Sequence, residues 1–211
     1  MAGDWRRSLA PGLQALGVSL PTGGEAQLLR YVDLLERWNQ AYNLTAIRDP
    51  GEMLTKHVLD SLAVLPFIAA SPCADVGTGA GLPGIPLAIA RPEARFTLLD
   101  SNGKKTRFVT QAVAELKLPN VEVVQARSEA YRPAVPFALV LSRAFASLAD
   151  FARLAGGLAA PGGRLLAMKG TDPTEEIAAL PPGFRLVAVH PLDVPGLDAE
   201  RCLVELEKQA G

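Results

Sequence analysis

Cys73-Ala74-Asp75-Val76-Gly77-Thr78-Gly79-Ala80-Gly81-Leu82-Pro83-Gly84-Ile85-Pro86 is the stretch whose reading decides the fold. The apolar run Cys73–Val76 reads as a strand. It leads straight into a turn with glycine at positions 77, 79, 81 and 84, and a helical pattern follows over residues 83–90. Glycine has no Cβ, so it permits a sharp turn and lets the backbone approach a ligand closely. In an open parallel sheet such a turn lies at the carboxyl end of a strand, where ligands bind. Asp100 ends the next strand-like run, residues 96–99, the place from which an acid reaches a ribose hydroxyl.

Downstream, short apolar runs alternate with helical stretches. Strands are predicted at 73–76, 96–99, 121–124, 138–141 and 164–168, and helices near 83–90, 104–116 and 148–158. That alternation predicts an α/β fold with a parallel sheet covered on both faces. Two further runs, 184–189 and 202–207, are separated by a loop holding Pro191, Pro195 and Gly196. They are expected to pair as antiparallel neighbours at one sheet edge.

Upstream, the chain reads as helical. Thr22 and Glu25 spell a capping box after Pro21, and Leu28, Val32, Leu35, Trp38 and Tyr42 recur at helical spacing. Asp49, Pro50 and Glu52 give a second start signal. The helix behind it carries one stripe of Leu54, Val58, Leu62 and Leu65 and another of His57, Asp60 and Ser61. The expected organisation is a helical extension over 1–70 and a sheet domain over 71–211, forming one structural unit.

Three readings of the glycine turn compete. One is a turn needed only for packing. The second is a dinucleotide site, since Gly79, Gly81 and Gly84 spell G-x-G-x-x-G, a pattern weak on its own. Asp75 weighs against it, because an acid before the first glycine repels a pyrophosphate. An acid there suits an ammonium through a charge-assisted hydrogen bond. The third reading, S-adenosylmethionine, explains Asp75 at the methionine ammonium and Asp100 at the ribose, with Gly77, Gly79 and Gly81 at the ligand.

Of 211 residues, 49% are hydrophobic, enough for a sizeable core. No apolar run is long enough for a membrane span, and the N-terminus does not read as a secretory signal. Cys73 and Cys202 have no metal-ligand spacing; reduced thiols in a cytoplasmic protein are expected, and no metal. With 21 Lys and Arg against 22 Asp and Glu, the net charge is −1, so long-range attraction to nucleic acid is not indicated. Any RNA contact rests on a local patch, with Arg6, Arg7, Lys104, Lys105 and Arg107 as candidates and Lys169 behind the fifth predicted strand. After the fourth comes Leu141-Ser142-Arg143-Ala144-Phe145, without the Asn-Pro-Pro-aromatic run that orients an exocyclic amine. This tilts toward an acceptor that is already nucleophilic, such as a ring nitrogen with a lone pair.

Further motifs stand in order along the chain: Trp38-Asn39, Tyr42-Asn43-Leu44-Thr45, His57-Val58-Leu59-Asp60-Ser61-Leu62, the glycine turn, Leu99-Asp100-Ser101, Ser142-Arg143-Ala144-Phe145-Ala146 and Lys169-Gly170. Together they resemble the glucose-inhibited division protein B family of ribosomal RNA small subunit methyltransferases. The glycine turn is shared with many methyltransferases; the H-x-x-D-S-L and S-R-A segments are far more specific. The resemblance implies a class I S-adenosylmethionine-dependent methyltransferase, a Rossmann-like, mostly parallel seven-stranded sheet behind an N-terminal helical extension. It implies methylation of guanine N7 in 16S ribosomal RNA, as naked RNA or as a small ribosomal subunit particle; a monomer is expected. Carried over by position, Gly77 and Leu82 line the methionine and adenosine region, and Ser128 and Glu129 lie beside the adenine. Arg143 faces the reaction site as a positioning residue, with no general base required. The family commonly has Arg-Ala-Glu where this chain has Arg127-Ser128-Glu129. The alternatives are a small-molecule or protein methyltransferase on the same fold, and a non-catalytic nucleoside-binding assembly factor.

Overall fold

The computed structural model describes residues 4–69, 71–170 and 173–209. The expected boundary at residue 70 lies outside them. Ahead of it come a 3-10 turn (Trp5–Ser8), α1 (Leu9–Ala15), α2 (Gly24–Tyr42) and α3 (Pro50–Met53). A π-helical stretch, Leu54–Leu59, then runs into the short α4 (Asp60–Leu62). The start signal at Asp49 is used: its side chain accepts the Glu52 N–H at 2.9 Å. The capping box at Thr22 and Glu25 is not. α2 begins at Gly24, and its N-cap is Gly23 at φ +83°, which contributes no side-chain hydrogen bond. The Pro21 carbonyl, accepting the Gly24 N–H at 2.9 Å, closes a turn that moves the helix start past Thr22.

β1 (Cys73–Val76), α5 (Gly84–Ala90), β2 (Phe96–Asp100), α6 (Gly103–Leu116), β3 (Val121–Gln125) and β4 (Phe137–Ser142) follow. Then come α7 (Leu148–Ala155), β5 (Ala159–Lys169), α8 (Thr174–Ala178), β6 (Phe184–Pro191) and β7 (Cys202–Lys208). The sheet order is β3-β2-β1-β4-β5-β7-β6. β1 to β5 are parallel; β7 runs antiparallel between β5 and β6, at the edge where the two C-terminal runs were expected. This is the mostly parallel, Rossmann-like seven-stranded sheet that was expected. Among the described residues, no helix is long and apolar enough to cross a membrane.

Two cores cover the two faces. One joins Leu28, Tyr31, Leu54 and Val58 of the N-terminal helices to Ile85, Leu98, Phe108 and Leu141. The other packs Ala74, Val76, Leu99 and Val140 against Leu148 and Phe151 of α7. The alternation Cys73/Ala74 and Leu98/Leu99 between them is the two-residue period of a strand buried on both sides. The N-terminal helices therefore share the core of the sheet. β1 pairs with β2 on one side and β4 on the other, so the chain reverses direction there and a crevice opens above the carboxyl end of β1.

Candidate active site

The glycine turn fills that crevice. Gly77, Gly79 and Gly81 have φ of +71°, +60° and +87°, a region L side chains rarely adopt. Gly84 allows α5 to close on β2: a Cβ there would lie 2.1 Å from Leu98 Cδ2 and 2.8 Å from Asp75 Oδ2. Six of the turn's amides are spent inside the protein. Gly77 and Thr78 donate to the Leu99 carbonyl, Gly81 and Leu82 to the Thr78 carbonyl, Gly79 to Asp100 Oδ2 at 2.9 Å, and Gly84 to Asp75 Oδ2 at 2.8 Å. A pyrophosphate cradle needs such amides for its ligand and disfavours carboxylates beside it. Here two carboxylates brace the turn, which suits a cationic ligand rather than a dinucleotide.

Asp75 is wholly buried. Its Oδ2 also accepts from the Thr78 hydroxyl at 2.6 Å, whereas Oδ1 has no hydrogen-bond partner among the described residues. Desolvation raises its pKa to about 6, opposed by the two hydrogen bonds and by Arg143. Asp100 is not the cap of α6, since Asn102 does that by accepting the Lys104 N–H; Asp100 Oδ1 accepts the Asn102 N–H at 2.8 Å. The Tyr31 hydroxyl of α2 donates to the Ala80 carbonyl at 2.7 Å, so the helical extension holds the turn from above. Burial pushes the Tyr31 pKa up, so it stays a donor.

Leu44, Thr45, His57, Gly77, Thr78, Gly79, Ala80, Leu82 and Arg143 surround a cleft of about 160 Å³. Arg143 follows β4, and its Nη1 donates to Asp60 Oδ2 at 3.0 Å and to the Lys56 carbonyl at 3.2 Å. Asp60 Oδ1 accepts from Arg201 Nε at 3.1 Å. The stripe of His57, Asp60 and Ser61 is therefore buried and faces this end of the sheet. His57 Nδ1 lies 3.1 Å from the Lys56 carbonyl and 3.4 Å from Arg143 Nη2. Nε2 lies 2.9 Å from Thr45 Oγ1. Desolvation first, then the Arg143 charge, lower the His57 pKa to about 4, and the ring is neutral at physiological pH. A larger groove of about 950 Å³, lined by Pro72, Arg95, Asn120 and Tyr131, lies at the amino ends of the strands, away from this chemistry.

Among known proteins, residues 24–204 match the family described as GidB, rRNA small subunit methyltransferase G. The chain is 55% identical over 203 residues to the ribosomal RNA small subunit methyltransferase G of Pseudomonas aeruginosa (strain LESB58), covering 96% of this chain and 95% of the relative. The chain belongs to the rRNA small subunit methyltransferase G family. The protein of that name from Xanthomonas campestris pv. campestris (strain 8004) is 54% identical over 205 residues, 97% of this chain and 96% of its own. The fold is also that of the N-methyltransferase NodS of Bradyrhizobium japonicum WM9, solved with S-adenosyl-L-homocysteine. That likeness has a TM-score of 0.54 at 16% identity and covers 87% of this chain and 100% of the other.

Within this member of the family, the structure brings Asp75, Gly77, Gly79, Gly81, Leu82, Asp100 and Arg143 to one end of the sheet. Ser128 and Glu129 join them: the Ala126 N–H donates to the Asp100 carbonyl, and the turn after β3 follows, with Ser128 Oγ donating to Glu129 Oε2 at 3.2 Å. Lys104 and Lys105 open α6 beside Asp100, Lys104 exposed and Lys105 half-buried. Lys169 is placed differently from a phosphate-binding lysine. Its side chain, 12% exposed, pairs with Glu176 at 2.8 Å and donates to the Ala146 carbonyl, bracing the loop behind Arg143. Sequence reasoning missed Tyr31 and Arg201. Tyr31 stands inside an apolar stripe, where a hydroxyl is the one available signal; nothing local marks Arg201.

Proposed function

We propose that this chain methylates guanine N7 of 16S ribosomal RNA, using S-adenosylmethionine. The observation that carries the reading is one cleft bordered by a glycine turn braced on two carboxylates and by Arg143, in a chain that matches the family over residues 24–204. The residues fit the cofactor: Asp75 keeps a buried oxygen without a partner, and a Cβ on Gly79 would meet nothing nearer than 3.9 Å, so the backbone there borders open space. Bound S-adenosylmethionine supplies an electrophilic methyl group on a sulfonium.

The residues divide the remaining work. Asp75 holds the methionine end and Asp100 the ribose. Gly77, Gly79, Gly81 and Leu82 give the close backbone approach, and Ser128 and Glu129 flank the adenine. Guanine N7 offers a lone pair and loses no proton at that atom, so no residue need act as general base. Neutral, hydrogen-bonded His57 is consistent with that. The catalytic task is alignment, with reacting atoms about 3–3.5 Å apart. Arg143, always charged, positions the nucleobase and abstracts nothing. Lys104 and Lys105 contact the RNA backbone, and Lys169 holds the Arg143 loop.

The test is to map the methylated nucleotide in small-subunit RNA from cells with and without this protein. Labelled cofactor is then offered with naked RNA or assembling particles. The expected outcome is loss of one N7-methylguanine in its absence, restored by the purified protein. Transfer to a small molecule or protein alone, or cofactor binding without transfer to any acceptor, would overturn the reading.

A further inference from the structure

Asp60 is a buried carboxylate with its side chain 2% exposed, and each of its oxygens meets a different arginine. Arg143 comes from the end of β4 and Arg201 from the residue before β7, each side chain 26% exposed. Asp60 itself follows the π-helical stretch, which carries His57 to the same cleft. π-turns inside helices often occur at functional sites, where they re-aim side chains. A buried carboxylate needs compensation, and two arginines more than compensate one charge. The cluster is left with a net charge of +1 beside a cleft that, on the reading above, takes a cationic cofactor. Without Asp60 that charge is +2.

We propose that Asp60 is the positioning and charge-balancing residue of this site. It aims Arg143 into the cleft and holds down the positive potential that the Arg143–Arg201 pair would otherwise impose on the cofactor's sulfonium. The inference rests on the methyltransferase reading. S-adenosylhomocysteine makes a sharp probe because its sulfur is uncharged while the rest of the molecule is the same. A purely structural role for Asp60 would change the affinities for the two ligands together; an electrostatic role changes their ratio.

The experiment is calorimetric titration of the full chain with S-adenosylmethionine and with S-adenosylhomocysteine at pH 7.5, for the parent, Asp60→Asn and Arg201→Gln. Asp60→Asn adds one positive charge near the sulfonium, so the ratio of S-adenosylmethionine to S-adenosylhomocysteine affinity should fall about three- to tenfold. Arg201→Gln removes a positive charge and leaves the Asp60–Arg143 pair, so the ratio should rise by a comparable factor. Opposite shifts in the two variants support the proposal, and equal ratios in all three proteins overturn it. If Asp60→Asn does not fold, Arg201→Gln decides alone: a raised ratio supports the proposal and an unchanged one overturns it. A folded parent that binds neither ligand overturns the methyltransferase reading itself, an outcome distinct from two bound ligands with an unmoved ratio.

Discussion

Asp75 shows what one residue can be read to do before and after its partners are known. The sequence marks it as an acid at a strand end beside glycines, and the expected ligand contact rests on that local pattern. It does not reveal that Oδ2 is committed to Thr78 and Gly84 while Oδ1 stays without a partner. Burial, working against those two hydrogen bonds, sets a pH dependence. The folded carboxyl titrates at about 6 against an ordinary 3.8, so between those values the native state holds a proton that the unfolded chain has released. The stability this contributes is fully present below the unfolded pKa and is lost as pH rises through about 6. Asp75→Asn keeps an acceptor for Thr78 and Gly84 but cannot titrate. Urea midpoints should therefore show the variant gaining on the parent between pH 4 and pH 7, while its affinity for S-adenosylhomocysteine falls about tenfold or more, the worth of a hydrogen bond to a charged group. A stability gap that does not change with pH would remove the titration, and an unchanged affinity would remove the ammonium contact. Arg201 is the opposite case: its partner Asp60 is 141 residues away, and no local spacing reports a contact of that kind.

At the scale of elements, β1, β2 and β4 were legible because strands buried on both faces stand out as short apolar runs between turns. The ends moved by a few residues, chiefly in β5, which starts at Ala159 where the strand was expected from residue 164. The capping box failed because two glycines and Pro21 make a tighter turn than Thr22 can compete with. The least legible feature is how α2 acts on the site. Its stripe is a core stripe, yet Tyr31 sends one hydroxyl through the core to the Ala80 carbonyl of the glycine turn. Tyr31→Phe removes that bond and leaves a buried carbonyl without its donor, a cost of about 1–3 kcal/mol. For a domain of this size each kcal/mol lowers Tm by about 2–4 °C. If α2 positions the turn, affinity for S-adenosylhomocysteine falls as well. Val32→Ala, one residue on and wholly buried in the same core, is the control: it should lower Tm with little change in affinity. Equal effects of the two substitutions on binding would reduce the tyrosine to a packing residue.

For the whole molecule, the sheet order could not be read from strands one at a time, because β1 pairs with β4 across residues 73 to 139 and the glycine turn becomes a crevice only when the chain reverses there. The same geometry decides where RNA can approach. A net charge of −1 gives no global attraction, so the basic residues that matter are those at the carboxyl edge of the sheet. Lys104 and Lys105 stand in the first turn of α6, directly after the strand that ends in Asp100, and that turn holds no acidic residue. Two cations at a helix N-terminus oppose the helix dipole, each by about 0.3–1 kcal/mol at the surface. They are poorly placed for stability and well placed for phosphates beside the cleft. Replacing both by alanine should therefore raise Tm slightly and leave affinity for S-adenosylhomocysteine unchanged. RNA binding should weaken, and the slope of log affinity against log salt should flatten by about 1.5, since each phosphate contact on a single strand or helix contributes about 0.7–0.9. Fluorescence titration of small-subunit RNA at several salt concentrations measures the slope. If it does not move while Tm rises, the two lysines face solvent alone, and the RNA runs instead along exposed arginines of the N-terminal region, where Arg30 on α2 and Arg48 in the loop before α3 are the next residues to replace.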